Sequence, residues 1–498
     1  MGLAQAISLA LQFGSSIVLA RLLSPYQMGI YAVAASTVGV LAVVQSFRLP
    51  SLIVREEVLT AEITATAFTV NLFIALGLSG SIAAISVAGG NFLHDSGVRK
   101  VLLVLAINPL FSILDLLPSS NLERRGQFKE MSLVATASGV TGTILTIILA
   151  LMGFNYMSIV YAGLGNAAVN TLMLNIVGRR HISFRVGFKA WRRVANFGLQ
   201  MLAVSGVNSI SGRLSDVLLG RLQGLTSLGI YSRASNLNGL IWNNIHMVIG
   251  RVVFVDFAEL NRQGVSLRDR YLRTVEVVTA VLWPAFAGFA VLSGPFIFFV
   301  YGAKWLPAVT PLTCLAIASM IQVSITMTWE LFAATGQLKA QTRIEFIRAI
   351  LAIVAFGAGC TISLTIAAAA RIFDAAIAFF LYRPHLNRMT RTTFPDFVPI
   401  YARSAVLTIL AIAPSTLMML KFHLSAEIPM PLVITSALCG ILFWCGGLVV
   451  LKHPLMHEAK ISLRRFRGRS PSLLTPEIEN MAAVAMTHTP TERIRDDV

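Results

Sequence analysis

Charge is scarce in this sequence: Asp, Glu, Lys and Arg together make up 13% of 498 residues, against about a quarter in ordinary soluble domains. With 56% hydrophobic residues and a mean hydropathy of +0.74, that scarcity excludes a soluble globular chain and leaves a polytopic membrane protein. Strict polar/apolar alternation is also missing, so the spans read as helices and not as barrel strands. Cysteine is nearly absent. Cys314, Cys360, Cys439 and Cys445 all fall in apolar runs, with no spacing that suits a metal site or a disulfide framework. They read as small hydrophobes. The eight histidines are scattered, mostly in loops and the tail, with no His/Glu cluster, so no metal and no cofactor is expected.

What is present is a succession of apolar runs near 2–20, 29–49, 63–89, 98–117, 131–153, 156–177, 194–219, 229–252, 274–300, 307–335, 344–364, 366–386, 403–420 and 430–451, about fourteen helices in an all-α fold. The first opens almost at Met1 with no basic flank and no small-residue cleavage site, so it is expected to be a retained helix and not a signal peptide.

Acidic residues are the scarcer sign, 23 against 40 basic, and the net charge is +17. Sorting the basic residues by loop argues against a nucleic-acid partner, because they alternate. Arg48 and Arg55, Arg124, Arg125 and Lys129, the run Arg179 to Arg193, Arg251 to Arg273, Lys339, Arg343 and Arg348, and Arg383 to Arg403 fill every second loop, and the tail from Lys452 is basic as well. By the positive-inside rule these loops and both termini face the cytoplasm, in agreement with an even number of spans.

Arg-Leu, six residues, then Gly-Ile-Tyr occurs at Arg21 to Tyr31 and again at Arg221 to Tyr231, each time where the first helix of a six-helix block ends. A duplicated unit of six helices re-enters the membrane in the same orientation, giving parallel repeats that flank a central cavity. The plainer reading is a turn glycine and an interfacial arginine, which any duplicated hairpin would carry. The division expected is a first lobe at 1–177, an amphipathic cytoplasmic linker at 178–193, a second lobe at 194–386, two extra helices at 387–451 and a basic tail at 452–498. The linker alternates basic residues with Ile182, Phe184, Phe188 and Trp191, as a segment lying on an anionic inner leaflet would.

A charge at the centre of a bilayer costs about 3 kcal/mol on insertion scales, so each one calls for a partner or a hydrated path. Such charges gather in the second lobe: Arg213 and Asp216 on span 7, Arg233 on span 8, Arg371 and Asp374 on span 12, and Glu330 near the inner end of span 10. By the loop-charge topology, all but Glu330 fall in the outer half of the membrane. Both Arg/Asp pairs have i, i+3 spacing, so their members can touch. Span 7 also carries a polar or small stripe, Ser205, Asn208, Gly212 and Asp216. Two hundred residues earlier span 1 repeats it as Gln5, Ser8, Gln12 and Ser16. Facing stripes would line one hydrated cavity. Small polar residues that merely let helices pack closely are the competing reading, and a structural ion pair is the competing reading for the charges. In such a cavity three arginines outnumber two aspartates, so an anion is favoured, and the guanidinium fork suits phosphate.

Several stretches resemble one family: "LARLLSPYQMGIYAVA" from Leu19, "NLERRGQFKEMSLV" from Asn121, "FGLQMLAVSGVNSISGRLSDVLLGRLQGLTSLGIYSRASNL" from Phe197, "VYGAKWLPAVTPLTCLAIA" from Val300 and "LFAATGQLKAQTRIEFI" from Leu331. Together they resemble the polysaccharide and O-antigen flippases of the multidrug/oligosaccharidyl-lipid/polysaccharide exporter superfamily. The resemblance implies two six-helix lobes in a V around a cavity lined by helices 1, 2, 7 and 8, with two extra C-terminal helices. It implies translocation of a polyprenyl-pyrophosphate-linked oligosaccharide from the inner to the outer leaflet of a bacterial inner membrane, with Arg213, Asp216 and Arg233 in family-like segments. The partners it implies are that lipid-linked substrate and membrane lipids, with polysaccharide polymerase and export proteins as further candidates. Two departures stand out: the short basic lead before helix 1 is missing, and the first lobe carries no buried arginine.

Three rival readings stay open at this point. A cation-coupled drug exporter of the same fold would need an embedded carboxylate in the cavity; helix 1 has none, and Asp115 lies near the inner end of helix 4. A membrane enzyme of glycan assembly would need a sizeable outer loop or an acidic metal motif, and the outer loops are short. A lipid scaffold without transport is the third.

Overall fold

In lipid each backbone polar group must find its partner within its own segment or bundle, and the described residues contain helices and no strand. The computed structural model describes residues 2–47, 49–56, 59–93, 95–178 and 185–456, with side chains described throughout except at 2–10, 46, 55, 88–93, 199–209, 243–249, 251 and 252. Arg48, linker residues 179–184 and the tail from 457 onward therefore lie outside the described residues, as do the side chains of Gln5, Ser8, Ser205 and Asn208.

A first block comprises α1 (Gly2–Leu22), α2 (Pro25–Leu41), α3 (Leu49–Arg55), α4 (Ala61–Leu93), α5 (Ser96–Leu105), α6 (Asn108–Arg124), α7 (Phe128–Leu151) and α8 (Met157–Val177). A second comprises α9 (Trp191–Leu222), α10 (Gly224–Arg262), α11 (Arg268–Val291), α12 (Ser293–Tyr301), α13 (Val309–Val323), α14 (Thr328–Ala334), α15 (Leu338–Ile362) and α16 (Leu364–Thr390). The extra pair is α17 (Phe394–Lys421) and α18 (Met430–Val450). Eleven segments among the described residues are long and apolar enough to cross a membrane, fewer than the fourteen or so expected from the sequence. Helices α1, α9 and α10 occupy three further expected spans; each includes residues whose side chains lie outside the described ones, and none is counted in the eleven.

Breaks in the helices follow the local chemistry. Pro25 opens α2 behind Ser24, whose hydroxyl accepts from the Gln27 amide while the Gln27 side chain accepts from the Ser24 amide, a reciprocal cap. A short 3₁₀ turn at Ala42–Phe47 separates α2 from α3. A left-handed Met327 (φ 57°) starts α14, so one expected span is delivered as two helices.

The duplicated motif finds its physical reason at the boundary between blocks. Helices α2 and α10 pack broadly against each other, and their glycines meet the opposite backbone reciprocally. A Cβ on Gly29 would collide with the Leu225 carbonyl, and a Cβ on Gly229 would collide with the Pro25 carbonyl. Glycine is needed in both copies because each helix start is the other's packing surface. One apolar core runs across this contact, including Leu19, Leu23, Val33, Leu225, Leu228 and Trp305. Nearby, the end of α1 is tied to α12 and the following turn: Arg21 donates to the carbonyls of Phe299 and Val300, Lys304 Nζ to the Arg21 carbonyl (2.8 Å), and Trp305 Nε1 to the Ala20 carbonyl (2.8 Å).

The described part of the linker lies along α4, with the Gly187 and Ala190 amides donating to the hydroxyls of Thr69 and Thr66. The extra pair docks on α11 through Thr279 and Ser404 (2.8 Å) and through Trp444 Nε1 to the Ala280 carbonyl (2.9 Å).

Candidate functional site

A cavity of about 770 Å³ lies between α1, α7 and α8 of the first block and α10 of the second. Four helical stripes with steps of three and four build it: Gln12, Ser15, Ser16 and Leu19 from α1; Gly139, Gly142, Thr143 and Thr146 from α7; Ile159, Ala162, Gly163 and Asn166 from α8; Arg233, Asn236, Leu237 and Leu240 from α10. Met28 and Tyr31 of α2 complete the wall, which mixes small neutral-polar residues with apolar ones and has Arg233 as its one charge among the described residues.

Arg233 is 3% exposed. One terminal nitrogen donates to Ser16 Oγ at 2.7 Å, so a residue of the first block holds a charge of the second. The guanidinium carbon stands 4.9 Å from the Tyr301 ring centre and 5.1 Å from that of Trp305, where the ring faces attract a cation. Tyr301 is itself fastened to Ser16 by a hydroxyl contact of 3.0 Å. The Nε and the second terminal nitrogen of Arg233 are buried with no hydrogen-bond partner, and no carboxylate pairs with it among the described residues. A buried cation with spare donors and no counter-charge is expensive to keep unless something supplies acceptors.

The other expected site residues divide. Gln12 and Ser16 share the cavity with Arg233. Arg213 is exposed and lies in the groove against Gly39 of α2, where a Cβ would stand 2.8 Å from its Nε. Asp216 accepts from Ser36 Oγ at 2.8 Å, again across the block boundary. Its i, i+3 partner Arg213 makes no ion pair with it among the described residues, so that spacing permitted a contact the tertiary structure did not use. Arg371 and Asp374 are on the wall of neither this cavity nor the adjoining one. Arg371 donates to Tyr231 Oη (3.0 Å) and lies 4.4 Å from the Phe356 ring centre. It reaches Asp374 at only 3.9 Å, while Asp374 accepts from Arg348 at 2.9 and 3.2 Å. Arg348 also holds Glu345, which accepts from Tyr382.

Three basic residues assigned to loops by their place in the sequence belong to helix contacts instead. Arg348 is in the Asp374 network, Arg383 on α16 is 6% exposed over the Phe397 ring, and Arg403 on α17 pairs with Glu276 of α11 at 3.1 Å. Glu330 is buried on α14, beside a small cavity of about 250 Å³ that Arg348 and Tyr382 also line. The reading by charge missed the polar stripes of α7 and α8. Their signal was present as Thr143, Thr146, Asn166 and Asn170 at helical spacing, but neutral polar residues hardly perturb hydropathy. The described residues hold no group of three or more His, Cys, Asp or Glu that could bind a metal.

A family profile described as "Polysaccharide biosynthesis protein" matches residues 18–310. The lipopolysaccharide biosynthesis protein WzxC of Escherichia coli K12 is 23% identical over 64% of this chain and 65% of its own length. The succinoglycan biosynthesis transport protein ExoT of Rhizobium meliloti is 26% identical over 62% of this chain and 63% of its own. The chain thus spans slightly less than two thirds of these two relatives. In three dimensions it is similar to the lipid II flippase MurJ in an inward closed conformation, with a TM-score of 0.72 at 16% identity over 91% of this chain and 99% of that one. At that identity the likeness carries the fold alone.

Proposed function

The chain belongs to the polysaccharide biosynthesis protein family of multi-pass membrane proteins, and from that premise we propose that it flips a polyprenyl-pyrophosphate-linked oligosaccharide repeat unit from the inner to the outer leaflet of a bacterial inner membrane. It works as a transporter, breaking no bond, with both termini on the cytoplasmic side. The single observation that carries the reading is Arg233: a buried guanidinium with two unpartnered donor nitrogens, on the wall of a cavity between the two blocks of helices. A pyrophosphate oxygen supplies the acceptors those nitrogens lack, and charge-assisted bonds of this kind are among the strongest available.

The sugar and pyrophosphate enter the cavity while the prenyl chain stays in lipid. The α2–α10 contact and the tie between Arg21 and α12 hold one end shut, and rocking of the two lobes opens that end and closes the other. An inside-negative potential of about 100 mV favours outward movement of one negative charge by about 2.3 kcal/mol. The cavity role extends as part of this proposal to Gln12 and Ser16, with Arg213 and Asp216 at the neighbouring α2–α9 contact.

The test is the full chain in liposomes loaded with a fluorescent farnesyl-pyrophosphate-linked N-acetylglucosamine, whose arrival in the opposite leaflet is read by an impermeant quencher. The wild type should move the probe and Arg233→Gln should not. Extrusion of a cationic dye that depends on Asp115, with no movement of the sugar lipid, would make the chain a cation-coupled exporter instead.

A further inference from the structure

A second cavity, of about 740 Å³, lies within the first block among α4, α6, α7 and α8 and the turn after α2. It adjoins the first: Gly163 and Asn166 line both. The two differ in chemistry. Among the described residues the first carries a lone arginine, whereas the second sets carboxamides and hydroxyls among apolar side chains, with Asp115 as its one charged group and no Lys, Arg or His. Its hydrogen-bonding balance is also one-sided. Asp115 Oδ1, Asn108 Oδ1 and Asn166 Oδ1 are buried acceptors with no close donor, and the Asp115 carboxylate is approached by the Thr171 hydroxyl and, at 3.4 Å, by Asn170.

Buried acceptors without donors are costly, and the groups that relieve them are O–H and N–H. Sugar hydroxyls and acetamido groups bring both. A uronate, a pyruvate-bearing sugar or a sulfated sugar would bring a second negative charge beside Asp115 with no cation among the described wall residues to offset it. We infer that this cavity receives the sugar end of the lipid-linked substrate, and that the sugar it receives is uncharged and rich in hydroxyl or acetamido donors. The inference rests on the transport reading above and divides the substrate between two compartments: phosphate to Arg233, neutral sugar to Asp115. A site built around unmet acceptors discriminates steeply against a ligand that lacks the matching donors.

The experiment measures binding to the full chain in nanodiscs with two probes that share one lipid and one pyrophosphate: farnesyl-pyrophosphate-linked N-acetylglucosamine and farnesyl-pyrophosphate-linked glucuronic acid. The neutral probe should bind about tenfold tighter, as expected for like charges several ångströms apart at intermediate dielectric. Asp115→Asn should narrow the gap by strengthening the acidic probe, while Arg233→Gln should weaken both probes by the same factor. Should Asp115→Asn not accumulate, Asn166→Asp adds a carboxylate to the same wall and should widen the gap. Equal affinity of the two probes for the wild type overturns the sugar assignment and leaves the transport reading standing. Binding of neither probe, with Arg233→Gln without effect, overturns both.

Discussion

Arg233, buried, and Arg371, half-buried, each stand against an aromatic ring and near a tyrosine hydroxyl, yet their surroundings differ in one respect. Arg371 sits in a closed account of charge: Asp374, Arg348 and Glu345 neutralise one another, and Tyr231 and Tyr382 complete their hydrogen bonds. Arg233 has a serine, two rings and two idle donors. The first arrangement orders α15 and α16 against each other, and the second leaves capacity for a ligand. Burial alone does not mark a binding residue in a membrane; incomplete pairing beside a cavity does.

The widest effect expected from breaking this contrast is at Arg233. Arg233→Gln should lower translocation at least about tenfold, the loss of one or two hydrogen bonds to a charged group. Its thermal unfolding temperature in detergent should stay level or rise, because an uncompensated buried charge has been removed. Asp374→Ala should do the reverse, lowering stability by about 3 kcal/mol by leaving Arg348 and Arg371 only Glu345 as a carboxylate between them, with residual transport in proportion to the folded fraction. A fall in stability for Arg233→Gln, or none for Asp374→Ala, would erase the distinction.

Gly229→Leu sharpens the comparison from the boundary side. It forces α10 off the Pro25 carbonyl, so spin labels on α2 and α10 should report a longer distance and the open state of that end should gain population. An unchanged distance distribution would mean that the contact is not a gate. The smallest effect is expected at Arg213, which is exposed in the α2–α9 groove. Arg213→Ala should reduce translocation by about threefold, the scale of a screened surface interaction, and a complete loss would place it beside Arg233 in function.

Much of this was legible in the chain. The run lengths and missing alternation marked the helices. The repeated Arg-Leu…Gly-Ile-Tyr marked the duplication, and the structure adds that Gly29 and Gly229 meet across its boundary. Arg233, Gln12 and Ser16 were singled out from polarity and spacing and share one cavity. Spacing was less reliable for partners, since Asp216 turned to Ser36 and Asp374 to Arg348. Asn108, Asn166 and Asn170 drew no notice because a neutral amide inside a span raises no alarm on a hydropathy scale.

Taken by itself, the sequence determined that the chain is a multi-pass membrane protein and that its spans are helical. These follow from the hydrophobic effect and backbone hydrogen bonding acting over a single helix length. Which charges neutralise one another, which of the arginines with unpartnered donors, Arg233 and Arg383, stands on a cavity wall, and where two cavities adjoin were decided only in the tertiary structure. Pairing depends on atoms far apart in the chain, such as Ser16 with Arg233 and Ser36 with Asp216. No local periodicity encodes those distances.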